Sequence, residues 1–300
     1  MSHIRLGRAD PHVHTLASDG VDGVVTILEH VEAMASVDVI AIADHDRIDA
    51  AVAARAIAES RGMHVGVIVA EEVSTRGGHV LGLFLTERVP PLRSLRETVA
   101  RIHDQGGLAI AAHPATPYPL CVSARSVRRL MDEPDPRHRF DAIETFNPTT
   151  FGRVGHVTSV RLARELSLPA VGSSDAHRAA AVGTGLTLFR GATPDDLRAA
   201  IASGDTRWAG TFHGTLSQLP TFGRQLAKYG RGWRDGVAGL VRGDGTGRDL
   251  GYPGGRLRPA RFDPDHPTDS DRATGPGPAA AAPPDGTGAS PPEREDGARR

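Results

Sequence analysis

The chain has 300 residues, 39% hydrophobic and 24% charged, and its 35 basic residues against 36 acidic ones leave a net charge of −1. This balance fits a soluble chain of one large domain or two small ones, and it excludes a generalised surface for polyanions. Cys121 is the only cysteine, which excludes an internal disulfide framework and any multi-cysteine metal site.

Taken in chain order, short apolar runs alternate with alanine-rich helical patterns. Strand candidates fall at 4–13, 37–43, 65–70, 79–85, 108–112, 140–145, 169–172 and 184–189. Helical patterns lie between many of them, at 24–36, 48–61, 94–105, 123–131, 153–166 and 194–203. The last opens with Thr193-Pro194-Asp195-Asp196, an N-cap followed by a proline and two acidic first-turn residues. The alternation predicts an α/β chain with a mostly parallel sheet covered by helices. Seven or eight strands and no glycine-rich nucleotide fingerprint favour a distorted (β/α) barrel, with functional residues at the C-terminal ends of its strands.

That barrel is expected over residues 1–210, with a C-terminal extension over 211–242. From 243 to 300 the chain carries 11 Gly and 10 Pro in 58 residues, a composition expected to stay disordered because it buries too little to offset ordering entropy. MSHIRLGRADPHVHT has no apolar leader core, and no run of about 18 apolar residues could span a bilayer. The expected location is cytoplasmic.

Histidine is plentiful and unevenly placed: 12 of the 14 fall within the first 178 residues. The first strand ends in Asp10-Pro11-His12-Val13-His14, and strict alternation predicts Asp10, His12 and His14 on one face, with Asp10 orienting a ring. The second ends on Asp44-His45-Asp46, the third on Glu71-Glu72, and the fourth begins with His79. The fifth runs into His113-Pro114, the sixth carries Glu144 ahead of Asn147, and the seventh closes on Asp175-Ala176-His177. Singly, each reads as a cap or a hydrogen-bonded turn residue. Together, at one barrel mouth, such a crowd of carboxylates and imidazoles is electrostatically expensive without cations. It reads as a metal site.

In this order, His12-X-His14, Asp44-His45, Glu72, His113-Pro114 and Asp175-X-His177 resemble the PHP (polymerase and histidinol phosphatase) family over roughly residues 4–205. The resemblance implies a distorted (β/α)7 TIM-like barrel with two or three divalent metals, Mn, Zn or Fe, at its mouth. By the same resemblance, His12, His14, Glu72 and Asp175 hold a first metal. Glu72 bridges to a second that is held also by His79 and His113, and Asp19, His45 and His177 surround a third. Asp44 supports a ligand rather than being one. Glu72 is preferred over Glu71 because it aligns with the Val-Ser-Thr that follows. Relatives in the nucleotide- and RNA-processing branch carry an inserted domain between the motifs matched by His79 and His113, and only 33 residues separate them here.

The implied activity is hydrolysis of a phosphate ester, a small phosphomonoester or a nucleotide-type substrate, by a metal-activated hydroxide, with Glu72, Asp175 and His177 at the reacting centre. Arg178 and Asn147 are candidates for substrate contact, whereas Arg153 and His156 read better as a solvated helix face. Two alternatives stand behind this one. Cleavage of oligonucleotides would need aromatic platforms, and aromatics are only 4% of the chain. A regulatory module would dock on a membrane or a protein through residues 221–241, where Phe222, Leu226, Tyr229, Trp233, Val237 and Leu240 recur at helical spacing; five glycines there weaken the helix.

Overall fold

In the computed structural model, the described residues are 5–116 and 120–212, all within a unit that spans Met1–Gly255. The 221–241 stretch and the tail from 243 lie outside them. The chain runs β1 (Leu6–Val13), α1 (Val24–Met34), β2 (Val39–Ile42), α2 (Asp49–Ser60), β3 (Gly66–Thr75) and β4 (Gly78–Leu83). It continues through α3 (Leu95–Asp104), β5 (Leu108–Ala111), α4 (Ala124–Met131), β6 (Ala142–Phe146), α5 (Thr150–Glu165) and β7 (Ala170–Gly172). It closes with β8 (Gly185–Arg190), α6 (Pro194–Ser203) and β9 (Arg207–Gly210).

Among the described residues the nine strands form one sheet, in the order β7-β6-β5-β4-β3-β2-β1-β8-β9. Its eight pairings are evenly mixed rather than mostly parallel. β1–β2, β2–β3, β5–β6 and β6–β7 are parallel, and β1–β8, β3–β4, β4–β5 and β8–β9 are antiparallel. The departure has a local cause. β3 does not stop at Ala70 but continues through both glutamates to Thr75 and turns straight back into β4, leaving no room for a crossover helix. β9 escapes prediction because it is a four-residue edge strand, mostly exposed, with no apolar alternation.

The sheet curls into a nearly closed barrel. Its inner face carries Ala9, Val39, Ala41, Ile68, Ala70, Leu81, Leu83, Ile110, Ala142, Val171 and Phe189, all buried. Leu197, Ala200 and Ile201 of α6 join this inner cluster, and Pro194 lies against Gly66 at the start of β3. α6 therefore plugs the end where the parallel strands begin, and the opposite end is left for chemistry. The other helices cover the outer face, where Ile40, Ile42, Val67, Val69 and Val73 pack against the apolar sides of α1 and α2.

β1 changes partner halfway along. Leu6 to Ala9 pair with β8, whereas the Val13–Ala176 bridge and the His14 N–H bond to the Ala176 carbonyl (2.8 Å) tie its second half to the loop after β7. β7 and β8 meet without a ladder. Buried Thr187 spans them, its Oγ1 accepting from Gly172 N–H (3.0 Å) and donating to the Gly172 carbonyl (2.8 Å). At Gly172 a Cβ would come within 2.6 Å of the Leu186 carbonyl, so this close approach requires glycine.

α6 begins where the sequence predicts, with a complete capping box. Thr193 Oγ1 accepts from Asp196 N–H (3.2 Å), and the Asp196 carboxylate accepts from Thr193 N–H (3.0 Å). Thr193→Ala is expected to cost about 1 kcal/mol, read as a lower denaturant midpoint with an unchanged slope.

Candidate metal centre

The direction of each side chain follows from strand parity. On β3, Ile68 and Ala70 face inward and Val67, Val69 and Val73 outward, so Glu72 points into the barrel mouth and Glu71 away from it. Glu71 accepts from Val89 N–H (2.8 Å), and burial pushes its carboxyl up to about 8. His79 is in phase with the inward Leu81 and Leu83 of β4.

On β1 parity is broken. Ala9 pairs with Val39, Asp10 with Ile40 and Val13 with Ile42, three steps on β1 against two on β2 between Asp10 and Val13. This bulge falls at Pro11, which has no N–H to donate. It turns His12 inward and leaves Asp10 on the outward side, so the expectation that Asp10, His12 and His14 share a face does not hold. Asp10 orients no ring. Its carboxylate receives Ser174 N–H (2.9 Å) and Gly183 N–H (2.8 Å) and so anchors the loop that carries Asp175 and His177.

Asp44 does the same for the loop after β1. It accepts from Thr15 N–H (2.8 Å), Thr15 Oγ1 (2.7 Å) and Ser18 Oγ, and thereby sets Asp19. An isolated bridge links His45 to Glu72. His113 follows β5 with φ of 25° and Asp175 follows β7 with φ of 51°, left-handed conformations rare outside glycine that these two junctions adopt.

All nine sequence-predicted ligands come together, and they are buried or nearly so. His12 Nε2 and His14 Nε2 are 3.0 Å apart. Glu72 Oε2 lies 3.2 and 3.3 Å from them, and Asp175 Oδ1 lies 3.7 and 3.2 Å away. Donors about 2.0–2.2 Å from a tetrahedral ion are separated by about 3.4 Å, and these five spacings scatter around that value. The other Glu72 oxygen, Oε1, is 2.8 Å from His79 Nδ1 and 2.9 Å from His113 Nε2. Asp19 Oδ2 is 3.0 Å from His177 Nε2 and 3.7 Å from His45 Nε2, while Asp19 Oδ1 is 3.5 Å from His14 Nδ1. His45 Nε2 also lies 3.3 Å from Glu72 Oε2, so His14 and His45 sit between groups that the resemblance keeps separate. His79 Nε2 is buried with no hydrogen-bond partner. A donor set of this composition and spacing fits divalent cations.

One buried carboxylate, counted among the strand-end acids in the sequence but given no ligand or supporting role there, has a central one in the structure. Glu144 Oε1 is 3.0 Å from His12 Nδ1, and its Oε2 accepts from His113 N–H (2.5 Å); Ser173 Oγ donates to it as well. It holds His12 from behind, the place expected of Asp10. Its signal in the sequence is an acid near the end of the strand candidate 140–145, ahead of Asn147. Asn147 is also employed internally. Its Nδ2 donates to Glu144 (3.3 Å) and Asp175 Oδ2 (3.0 Å), and its Oδ1 accepts from Thr149 N–H and Oγ1 (3.1 and 2.6 Å). With every polar atom engaged and 2% exposure, Asn147 positions Asp175 rather than facing a substrate. Arg178, half-buried, directly follows His177. His156 is no solvated helix residue: its Nδ1 lies 2.7 Å from the Thr145 carbonyl, and its ring packs edge-on to Phe146, Trp208 and Phe212. Arg153 is exposed, 5.3 Å from the Phe212 ring.

The electrostatics express the same crowding. Burial alone would raise the Glu72 carboxyl, yet His45, His79 and His12 hold it well below the ordinary range. Asp175 is lowered against its burial by His12 and His14. Burial opposes charge on His177, but Asp19 outweighs it and pushes the ring up to about 9. Burial wins at His45, which falls to about 4 despite Glu72 and Asp19. A cation binding through His177 must therefore displace a proton bound below pH 9, and that competition disappears as pH rises through 9. Zn²⁺ affinity is expected to increase from pH 6 to 9, with proton release in calorimetric titrations repeated in buffers of different ionisation enthalpy. Affinity independent of pH would contradict this protonation state.

A family model described as PHP-associated matches residues 157–206. The uncharacterized protein MJ1587 of Methanocaldococcus jannaschii is 33% identical over 166 residues, covering 52% of this chain and 89% of the relative. MJ0417 of the same organism is 26% identical over 195 residues, 63% of this chain and 75% of the relative. Two crystal structures share the fold. One is a two-domain protein from Bacteroides vulgatus described as containing a predicted PHP-like metal-dependent phosphoesterase, at TM-score 0.56 and 18% identity over 75% of this chain and 71% of that one. The other is PsfC from Pseudomonas syringae PB-5123, at TM-score 0.54 and 19% identity over 75% of this chain and 99% of that one. Sequence match, fold and motif order agree, and the chain belongs to the PHP (polymerase and histidinol phosphatase) family.

Proposed function

We propose that the protein is a metal-dependent phosphoesterase that hydrolyses a small phosphomonoester or nucleotide-type substrate at the barrel mouth. The observation that carries this reading is Glu72, whose two oxygens face two different sets of imidazoles, His79 and His113 on one side and His12, His14 and His45 on the other. A carboxylate so placed is suited to be shared between two cations. His12, His14 and Asp175 would complete one set, His79 and His113 a second, and Asp19, His45 and His177 a third. Bound Mn, Zn or Fe ions supply Lewis acidity toward phosphoryl oxygens and lower the pKa of water.

The chain's own groups do the rest. Asn147 and Glu144 fix Asp175 and His12, so the ligands are held before substrate arrives, and catalysis by positioning depends on that preorganisation. Arg178, beside His177, is the residue we assign to the substrate phosphate, because a guanidinium can grip phosphate oxygens in pairs. Among the described residues no helix is long and apolar enough to cross a membrane.

Purified protein is expected to carry two to three metal equivalents by elemental analysis and, loaded with Mn²⁺, to hydrolyse members of a panel of phosphomonoesters, cyclic and linear diesters and short oligonucleotides. Glu72→Ala should lose metal and lower kcat/KM by more than about a hundredfold, beyond the range for groups that only support a ligand. Arg178→Met should raise KM more than it lowers kcat. Hydrolysis of oligonucleotides alone would move the assignment to a nuclease, and full metal loading without hydrolysis would move it to a regulatory module.

A further inference from the structure

Cys121 stands outside every ligand set above, yet it touches one. Its half-buried Sγ lies 3.2 Å from His113 Nδ1, while Nε2 of the same ring lies 2.9 Å from Glu72 Oε1. An imidazole that presents its Nε2 lone pair to a cation carries its proton on Nδ1, and in metal sites that N–H ordinarily donates to a carboxylate, a carbonyl or water. Here it faces sulfur.

The backbone delivers the sulfur to this place. Ala115 N–H donates to the Val122 carbonyl and His79 N–H to the Leu120 carbonyl, both at 2.9 Å. Gly78, at φ of +115°, packs so closely on this segment that a Cβ would come within 2.4 Å of Val122 N and 2.5 Å of the Cys121 carbonyl carbon. Residues 120–122 are thus tied by main-chain bonds to His79 and by a side chain to His113, the two rings that flank Glu72 Oε1.

We propose that Cys121 is a positioning residue whose sulfur accepts the Nδ1–H of His113 and so aims Nε2 at Glu72 and the cation they would share. This inference rests on the metal-centre reading above. It assigns the sulfur the orienting work that Glu144 performs on His12, through a weaker and more polarisable acceptor.

The test compares wild type, Cys121→Ala and Cys121→Ser as full-length proteins by Zn²⁺ competition against a chromophoric chelator and by visible absorption of the Co²⁺-loaded forms. Thermal midpoints of the metal-free proteins serve as the folding control. Cys121→Ala is expected to weaken one Zn²⁺ equivalent by about 10–100-fold and to shift the Co²⁺ bands. Cys121→Ser, which keeps an acceptor, should restore both, with the metal-free midpoints alike. Equal affinities in all three proteins, or a serine variant as weak as alanine, would mean that the thiol is only packing, and the proposal fails while the metal centre stands. Wild-type protein that binds no Zn²⁺ would overturn the metal centre and this inference together.

Discussion

Everything at the barrel mouth is arranged around one unfavourable act, the burial of the Glu72 carboxylate at 1% exposure. A carboxylate removed from water must be compensated nearby or give up its charge. Glu71, its neighbour on the other face of the same strand, has one backbone donor and takes the second course, its carboxyl pushed up to about 8. Glu72 keeps its charge because five imidazoles lie within 3.3 Å of its oxygens. Two adjacent residues of one type thus have opposite fates, decided by strand parity alone.

The surrounding carboxylates divide the labour in a way that their identity does not announce. Asp10 and Asp44 are spent on backbone amides and hydroxyls, and through them they fix the two loops that carry Asp175, His177 and Asp19. Glu144 instead reaches ring and main-chain nitrogens of the ligands themselves. Loops are the mobile parts of most folds. Here the ligand-bearing loops are pinned from outside the mouth by buried acids, in addition to the contacts that the donors make with one another.

Much of this was legible in the sequence because strands deliver side chains at a fixed period. An apolar run that breaks into His, Asp or Glu marks a strand end, and repetition of that break at several junctions marks convergence. The preference for Glu72 over Glu71 comes from the resemblance, through the Val-Ser-Thr that follows, and not from the period. What could not be read are the features that violate the period. The bulge at Pro11 reverses Asp10. The β3–β4 hairpin departs from the expected mostly parallel sheet and places Glu72 within a strand rather than at its end. Asn147, polar and beside the site, reads as a substrate contact because its bond to Asp175, 28 positions away, exists only in the fold, and the bonds to Glu144 and Thr149 depend on how the strand end turns. Exposed β9 lacks apolar alternation, and Glu144 shows as one more strand-end acid with nothing to say that it supports His12.

The exchange of partners along β1 has a consequence for how the molecule reaches its folded form. His177 and Asp19 are 158 positions apart in the chain, and the loop after β7 meets His12 and His14 across a similar separation. Contacts of such sequence separation carry a large loop-closure entropy. The centre thus joins segments from both ends of the barrel. A cation seated across it would act as a staple between the two ends of the fold, adding its binding free energy to the closed state alone.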